Sequence, residues 1–252
     1  MFSFTDKVVW VTGSSTGIGS SIAKAFAEAG AKLVVHGNSN VDAAKETLSA
    51  VQASGAEALL VTGDVTKPLH IQEMVEQINA RFGRLDVLVN NAGTMVKRSK
   101  IEDLDHDTWN NIFDINVSSV FHVTKAALPL LKKSANGNII NITSIAARNG
   151  GGGGAVAYAS AKGAVSTLTR GLAKELLEYN IRVNGIAPGV IETPFHERYS
   201  SQELMDKMTA QIPLGRTGTP DDIAGVALFL ASDYSSYLVG EIVEANGGML
   251  MD

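Results

Sequence analysis

The chain has no cysteine among its 252 residues. That excludes a disulfide framework, a thiolate zinc site and a cysteine nucleophile. Its histidines, His36, His70, His106, His122 and His196, fall at no spacing a metal site requires, so no metal is expected. No apolar run approaches the length of a membrane span, and the residues from Met1 to Lys7 lack the charged-then-apolar order of an export signal. There is no block of like charge, and the net charge of −5 gives no reason to expect a nucleic-acid partner. Linkers rich in proline or serine and internal repeats are also missing. The expectation is therefore a soluble, cytoplasmic protein, without membrane or nucleic acid. Residues 1–252 should form one domain, and an apolar content of 45% is enough for a well-buried core.

What is present is alternation. Short β-branched runs at 7–12, 32–36, 58–62, 85–89, 138–143, 181–187 and 241–244 read as strands. Helical patterns separate them at 17–29, 42–53, 69–82, 107–133, 156–179 and 221–232. Such a sequence predicts an α/β fold, a doubly wound parallel sheet of seven strands with helices on both faces. Ligands of such sheets bind beyond the carboxyl ends of the strands. The glycine turn from Gly13 to Gly19, Asp64, the stretch from Asn90 to Gly93, Ser144 and the pair Pro188-Gly189 each follow a strand, so they converge on one edge.

Two of these clusters carry chemistry. Gly13, Gly17 and Gly19 let the backbone approach a pyrophosphate, and the following helix offers unpaired N–H groups to anionic oxygen. The competing reading is an ordinary strand-to-helix turn; the place of the turn after the first strand favours a nucleotide. Tyr158 and Lys162 are four apart and share a helix face. An ammonium beside a phenol favours the phenolate, which suits proton exchange with a substrate oxygen. Chance spacing on a solvated face is the bland alternative, weakened by Ser144 at a strand end upstream. Asn116, inside a helical pattern, reads equally well as functional or as a satisfied buried amide.

Taken in order, Thr12-Gly-x-x-x-Gly-Ile-Gly19, Asp64-Val65, Asn90-Asn-Ala-Gly93, Asn116, Ser144, Tyr158-x-x-x-Lys162, Pro188-Gly189 and Thr193 resemble the short-chain dehydrogenase/reductase family over essentially the full chain. The resemblance implies a Rossmann-type fold and an oxidoreductase interconverting a carbonyl and a secondary alcohol with NAD(P). It implies Tyr158 as general acid or base and Lys162 as the residue that lowers its pKa and bonds the nicotinamide ribose. Ser144 would polarise the substrate oxygen, and Asn116 would support a proton-carrying water chain. The implied cofactor contacts are Gly13, Ser15, Thr16, Gly17, Ile18 and Gly19 in the turn, with Gly37, Asn38 and Ser39 after the second strand and with Tyr158 and Lys162 themselves. Asp64 and Val65 belong to the adenine, Asn91, Ala92 and Gly93 to the adenosine ribose and cofactor edge, and Pro188, Gly189, Ile191 and Thr193 to the carboxamide. The family also implies a homotetramer through 107–133 and 156–179.

An NAD enzyme of this kind places an acid at the end of the second strand, where it bonds the ribose 2′-OH. Gly37 stands there instead, so NADP(H) is the preferred cofactor, with NAD(H) as the other option. Thr217-Gly-Thr-Pro-Asp-Asp-Ile-Ala224 and the segment from Gly240 to Met249 are similar to 3-oxoacyl-carrier-protein reductases, and also to sugar and polyol dehydrogenases. Ala135 and Tyr179 occupy places where carrier-protein reductases have basic residues, with Lys132 and Lys133 nearby. The segment 192–212 should form a helical lid. Lys97, Arg98, Lys100, Arg148, His196 and Arg198 suggest an anionic substrate, against a plainer reading as solvated loops. The run Gly150 to Gly154 leaves the pocket wall open or makes room for a neighbouring subunit.

Overall fold

The computed structural model describes residues 2–251. Strand β1 (Val8–Val11) leads into α1 (Gly17–Glu28), and β2 (Lys32–Gly37) into α2 (Val41–Ala53). Then come β3 (Ala58–Thr62), α3 (Pro68–Phe82) and β4 (Val87–Asn90). Helix α4 (His106–Phe113) runs through a π-helical stretch, Asp114–Ser118, into α5 (Ser119–Leu131). Strand β5 (Gly137–Ile142), the short α6 (Ala146–Asn149), α7 (Val156–Leu176) and β6 (Ile181–Pro188) follow. The chain closes with α8 (Pro194–Tyr199), α9 (Gln202–Thr209), α10 (Pro220–Ala231) and β7 (Ile242–Ala245).

The seven strands form one sheet in the order β3-β2-β1-β4-β5-β6-β7, and every pairing is parallel. Parallel strands of this type need cover on both faces, and period-two alternation supplies it. In β1, Val9 and Val11 enter a cluster with Ile22 and Phe26 of α1 and Ala227 of α10. Val8 and Trp10 enter the opposite cluster, with Ile71, Met74 and Ile78 of α3, Val123 and Leu131 of α5, and Ala173 of α7. Helix ends follow their local chemistry. Pro68 opens α3 and Gly83 ends it in the left-handed region at φ 72°. Thr219 and Asp222 form a reciprocal capping box on α10.

The order reverses between β1 and β4, since β1 pairs with β2 on one side and β4 on the other. The crevice beyond the carboxyl ends at that point is where such a sheet receives a ligand. The expected helix over 107–133 is instead two α-helices joined by the π turn, and the expected helix over 156–179 finishes as a 3₁₀ turn, Leu177–Tyr179.

Candidate active site

The glycine turn is built for close backbone contact. Gly13 lies at φ 61°, and a Cβ on it would sit 2.9 Å from Cα of Ala92. A Cβ on Gly17, at φ 56°, would approach Cγ2 of Thr193 to 3.2 Å, and one on Gly19 would overlap the Gly13 carbonyl and the Asn91 amide at 2.4 Å each. The ends of β1, β4 and β6 are thus pressed together. Asn91 Nδ2 donates to the carbonyls of Thr12 (2.9 Å) and Gly13 (3.0 Å), so that side chain braces the turn. Thr16 caps α1 without a side-chain hydrogen bond, and no acid stands in the first turn. The first amides of α1 therefore offer an anion site.

At the end of β2, Gly37 is buried against α2, and a Cβ there would lie 2.7 Å from Cβ of Ala44. Asn38 and Ser39 beyond it are exposed. Asn38 shares a shallow cavity of about 290 Å³ with Val41, Thr62, Gly63, Asp64, His70 and Glu73. Asp64 accepts from the amide and hydroxyl of Thr66, both at 2.8 Å. The Val65 side chain is buried in the core, so only its backbone is left to face a ligand.

Asn116 sits in the middle of the π turn. Its Nδ2 donates to the carbonyls of Thr94 (2.7 Å) and Ile112 (2.8 Å), while its buried Oδ1 has no hydrogen-bond partner among the described residues. Gly93 explains where that oxygen faces. A Cβ on Gly93 would meet Oδ1 of Asn116 at 2.7 Å and Nζ of Lys162 at 3.2 Å. A π turn widens the helix by one residue per turn and recurs at functional sites. Here it sets an acceptor beside a lysine.

Ser144, just after β5, faces the Tyr158 hydroxyl and accepts the amide of Ala146 at 3.1 Å. Lys162 is 4% exposed and donates to the carbonyl of Ile142 at 2.9 Å. Its Nζ lies 5.7 Å from the Tyr158 ring centroid. Desolvation dominates both groups. Burial of the Tyr158 hydroxyl end pushes its pKa up to about 12, opposed by the Ser144 hydrogen bond, although part of the ring stays accessible. Burial pushes Lys162 down to about 8. The ammonium is bonded to a carbonyl, and the low polarity around the phenol disfavours its phenolate.

The segment after β6 forms α8, which folds over this cluster, and then α9. Phe195 stands 5.6 Å from Tyr158 and 5.1 Å from Tyr199, centroid to centroid. Tyr199 shares a 2.8 Å hydrogen bond with Thr94. Arg98 ties the segment down, donating from Nε to the Tyr199 carbonyl (3.0 Å) and from Nη1 to that of Gly153 (2.8 Å). A Cβ on Gly154 would strike Cγ of Arg98 at 2.8 Å, so the glycine run makes room for this arginine. The positive charges expected to greet an anion are largely engaged. Arg98 serves these carbonyls, Arg148 pairs with Glu244 at 3.6 Å, and Lys100 pairs with Glu102 at 3.9 Å. His196 is held below the usual histidine range by burial and by Arg98.

All the expected catalytic residues, Asn116, Ser144, Tyr158 and Lys162, thus come together. The cradle fits a dinucleotide, because its glycines leave the space side chains would fill and a helix N-terminus opens on it. Thr94, Arg98, Phe195 and Tyr199 were missed as a unit. No spacing links residues near 95 to residues near 199.

A family model described as enoyl-(acyl carrier protein) reductase matches residues 13–250. The chain belongs to the short-chain dehydrogenase/reductase family. It is 41% identical over 245 residues to an uncharacterized oxidoreductase of Methylorubrum extorquens, covering 96% of this chain and 97% of that one. It is 37% identical over 250 residues to the 3-oxoacyl-acyl-carrier-protein reductase of Thermotoga maritima, covering 97% and 98%. A crystal structure of a putative short-chain alcohol dehydrogenase from Sinorhizobium meliloti superposes with a TM-score of 0.92 at 34% identity, covering 98% of each chain. This short-chain dehydrogenase/reductase is an NAD(P)-dependent oxidoreductase acting between a carbonyl and an alcohol.

Proposed function

We propose that the enzyme interconverts a ketone and a secondary alcohol at the cluster of Ser144, Tyr158 and Lys162, with Tyr158 as acid in reduction and base in oxidation. The observation that carries this reading is the meeting of Ser144 at the end of β5 with Tyr158 and Lys162 on one face of α7, with Oδ1 of Asn116 close to Lys162; burial holds the phenol above its usual range. Such a phenol keeps its proton at neutral pH and can give it to an oxygen that is becoming an alkoxide. Ser144 holds the substrate oxygen. Lys162, held near the boundary of its charge at about 8, takes up and passes on the proton. The orphaned Oδ1 of Asn116 accepts a bridging water beside Lys162. A bound nicotinamide supplies or receives the hydride.

NADP(H) is the preferred cofactor, with NAD(H) also used, because no acid stands at Gly37 and the polar Asn38 and Ser39 are exposed beside it. The turn from Gly13 to Gly19 holds the pyrophosphate, Asp64 and the Val65 backbone the adenine, and Ala92 and Gly93 the cofactor edge. Pro188, Gly189, Ile191 and Thr193 border the carboxamide. The chain works as one domain with a lid over 192–212, in the cytoplasm. It assembles as a homotetramer, a reading supported by the exposed Phe121 on α5 and Val156 on α7.

The relatives' names favour a 3-oxoacyl thioester as substrate. One observation supports a carrier-borne form of it: Nζ of Lys132 stands 3.3 Å from the ring centroid of Tyr179 and brings a cation to the place where the sequence lacks one. The test is oxidation of NADPH and NADH with acetoacetyl thioesters, free and carrier-bound, beside neutral ketoses, keto sugar acids and aromatic ketones. Fast thioester turnover supports this substrate. Turnover confined to sugars or their acids replaces it with a sugar dehydrogenase, and cofactor binding with no turnover on any substrate overturns the catalytic reading.

A further inference from the structure

His36 is a buried titratable residue that the reaction does not use. It lies in β2 at 1% exposure, and its ring spans two neighbouring strand ends. Nδ1 accepts the Gly13 amide at 2.8 Å. Nε2 lies 2.9 Å from the Gly63 carbonyl, which can only accept. The two contacts select one form of the ring: neutral, with the proton on Nε2. Its backbone holds the same turn, since the His36 amide donates to Oγ of Ser14 at 2.8 Å and its carbonyl accepts the Ser14 amide at 3.0 Å. Oγ of Ser14 in turn donates to the Val11 carbonyl at 2.8 Å.

The ends of β1, β2 and β3 are therefore joined through one imidazole, directly beneath the turn expected to carry the pyrophosphate. We propose that His36 is a positioning residue for the dinucleotide: its neutral ring fixes Gly13 against Gly63, and a second proton, on Nδ1, breaks the Gly13 tie and weakens cofactor binding. Nδ1 cannot accept an amide and carry a proton at once, so the cationic ring would set two N–H groups against each other.

The surrounding charges are few. The β1 turn contributes Gly13 and Ser14, neither of them ionisable. The end of β3 contributes Asp64, whose charge favours the cation. From α3, His70 faces Asp64, accepting its amide at 3.2 Å, and Glu73 lines the same cavity as both. On α2 the charged Asp42 and Lys45 pair with each other at the surface. Desolvation outweighs Asp64 and holds His36 below the usual histidine range, which keeps the cradle intact at neutral pH.

The inference rests on the cofactor lying on the Gly13 turn. The experiment is calorimetric titration of the intact enzyme and of His36→Gln with NAD⁺ from about pH 8 to pH 5, with the His36 pKa of the wild type followed by NMR with and without NAD⁺. NAD⁺ has no 2′-phosphate, whose own titration near pH 6 would confuse the result. Expected is a Kd that rises toward about tenfold per pH unit below the His36 pKa in the wild type, and a nearly flat Kd in His36→Gln. Saturating NAD⁺ should also lower the His36 pKa, because the coupling is reciprocal. The NMR arm decides the matter if His36→Gln does not fold. An unchanged His36 pKa on binding, or the same acid sensitivity in His36→Gln, overturns the proposal while leaving the cofactor site standing. Failure of the wild type to bind NAD⁺ or NADP⁺ at any pH overturns both.

Discussion

Arg98 donates from its guanidinium to the backbone carbonyl of Tyr199 at 3.0 Å, fastening the loop after β4 to the end of α8. Its other bond, to Gly153, carries the fastening across to the glycine run. Arg98→Ala should therefore loosen the lid and raise KM for every substrate, charged or neutral, by about tenfold, the loss of one or two charge-assisted hydrogen bonds at a half-buried site. Hydrogen exchange over 194–209 should quicken in the same variant. A rise confined to acidic substrates would restore Arg98 as an anion receptor and remove the latch.

Tyr158→Phe keeps the ring that meets Phe195 and loses only the hydroxyl. Turnover should fall by about 10²- to 10⁴-fold, the usual contribution of a positioned acid or base. Cofactor Kd, measured by calorimetry, should change by less than about threefold, since no part of the glycine turn involves this oxygen. Retained turnover would mean that another group supplies the proton.

Lys162 presents a conflict between stability and function. Its pKa of about 8 in the folded chain lies below the ordinary lysine value, so the unfolded chain binds the proton more tightly. Folding is thus penalised at neutral pH, and the penalty fades as pH rises through 8 toward the unfolded value. Lys162→Met should gain up to about 3 kcal/mol at pH 7, with the gain shrinking by pH 10, while activity is lost. Urea unfolding at the two pH values checks the sign. For the wild type, kcat/KM for ketone reduction should fall above about pH 8 as this proton is lost, and a flat profile there would remove Lys162 from the relay.

Cofactor choice at Gly37 cannot be read by a single substitution. A Cβ there would lie 2.7 Å from Cβ of Ala44, so Gly37→Asp strains the contact between β2 and α2. Gly37→Asp alone should weaken both cofactors and lower Tm. Paired with Ala44→Gly, it should shift the kcat/KM ratio toward NAD by about tenfold or more. An unchanged ratio in the paired variant would show that selectivity lies elsewhere.

The strands were legible because buried parallel strands are short β-branched runs, and glycine or polar residues mark their ends. Ser144, Tyr158 and Lys162 could be placed after β5 and on one helix face from spacing, but their roles were legible only through the family resemblance. The π turn was not. An extra residue in a helical turn leaves no apolar signature, and only Asn116 in a helix interior pointed to it. The contact of Arg98 with Tyr199 and the ring of His36 between Gly13 and Gly63 were hidden for a different reason. Both are tertiary bonds to backbone atoms, which carry no residue-type signal. The partners of the loop charges were hidden as well, because sequence shows a charge and not its partner, and Glu244, which pairs with Arg148, comes from the last strand.

The π turn at 114–118 also has a consequence for the helix that follows it. One surplus residue rotates everything downstream by about 100° relative to an uninterrupted α-helix. Helix α4 can therefore turn its buried Ile112 toward Ala157 and Ala161 of α7, while α5 turns Val123, Ala127 and Leu131 onto the sheet. The two halves answer to different neighbours, and the extra residue that lets them do so is the one that aims Asn116 at Gly93. In evolutionary terms the segment behaves as a reading frame: deleting any one residue between 114 and 118 would restore a regular helix and dismantle packing and site together, whereas a substitution there can spare the packing.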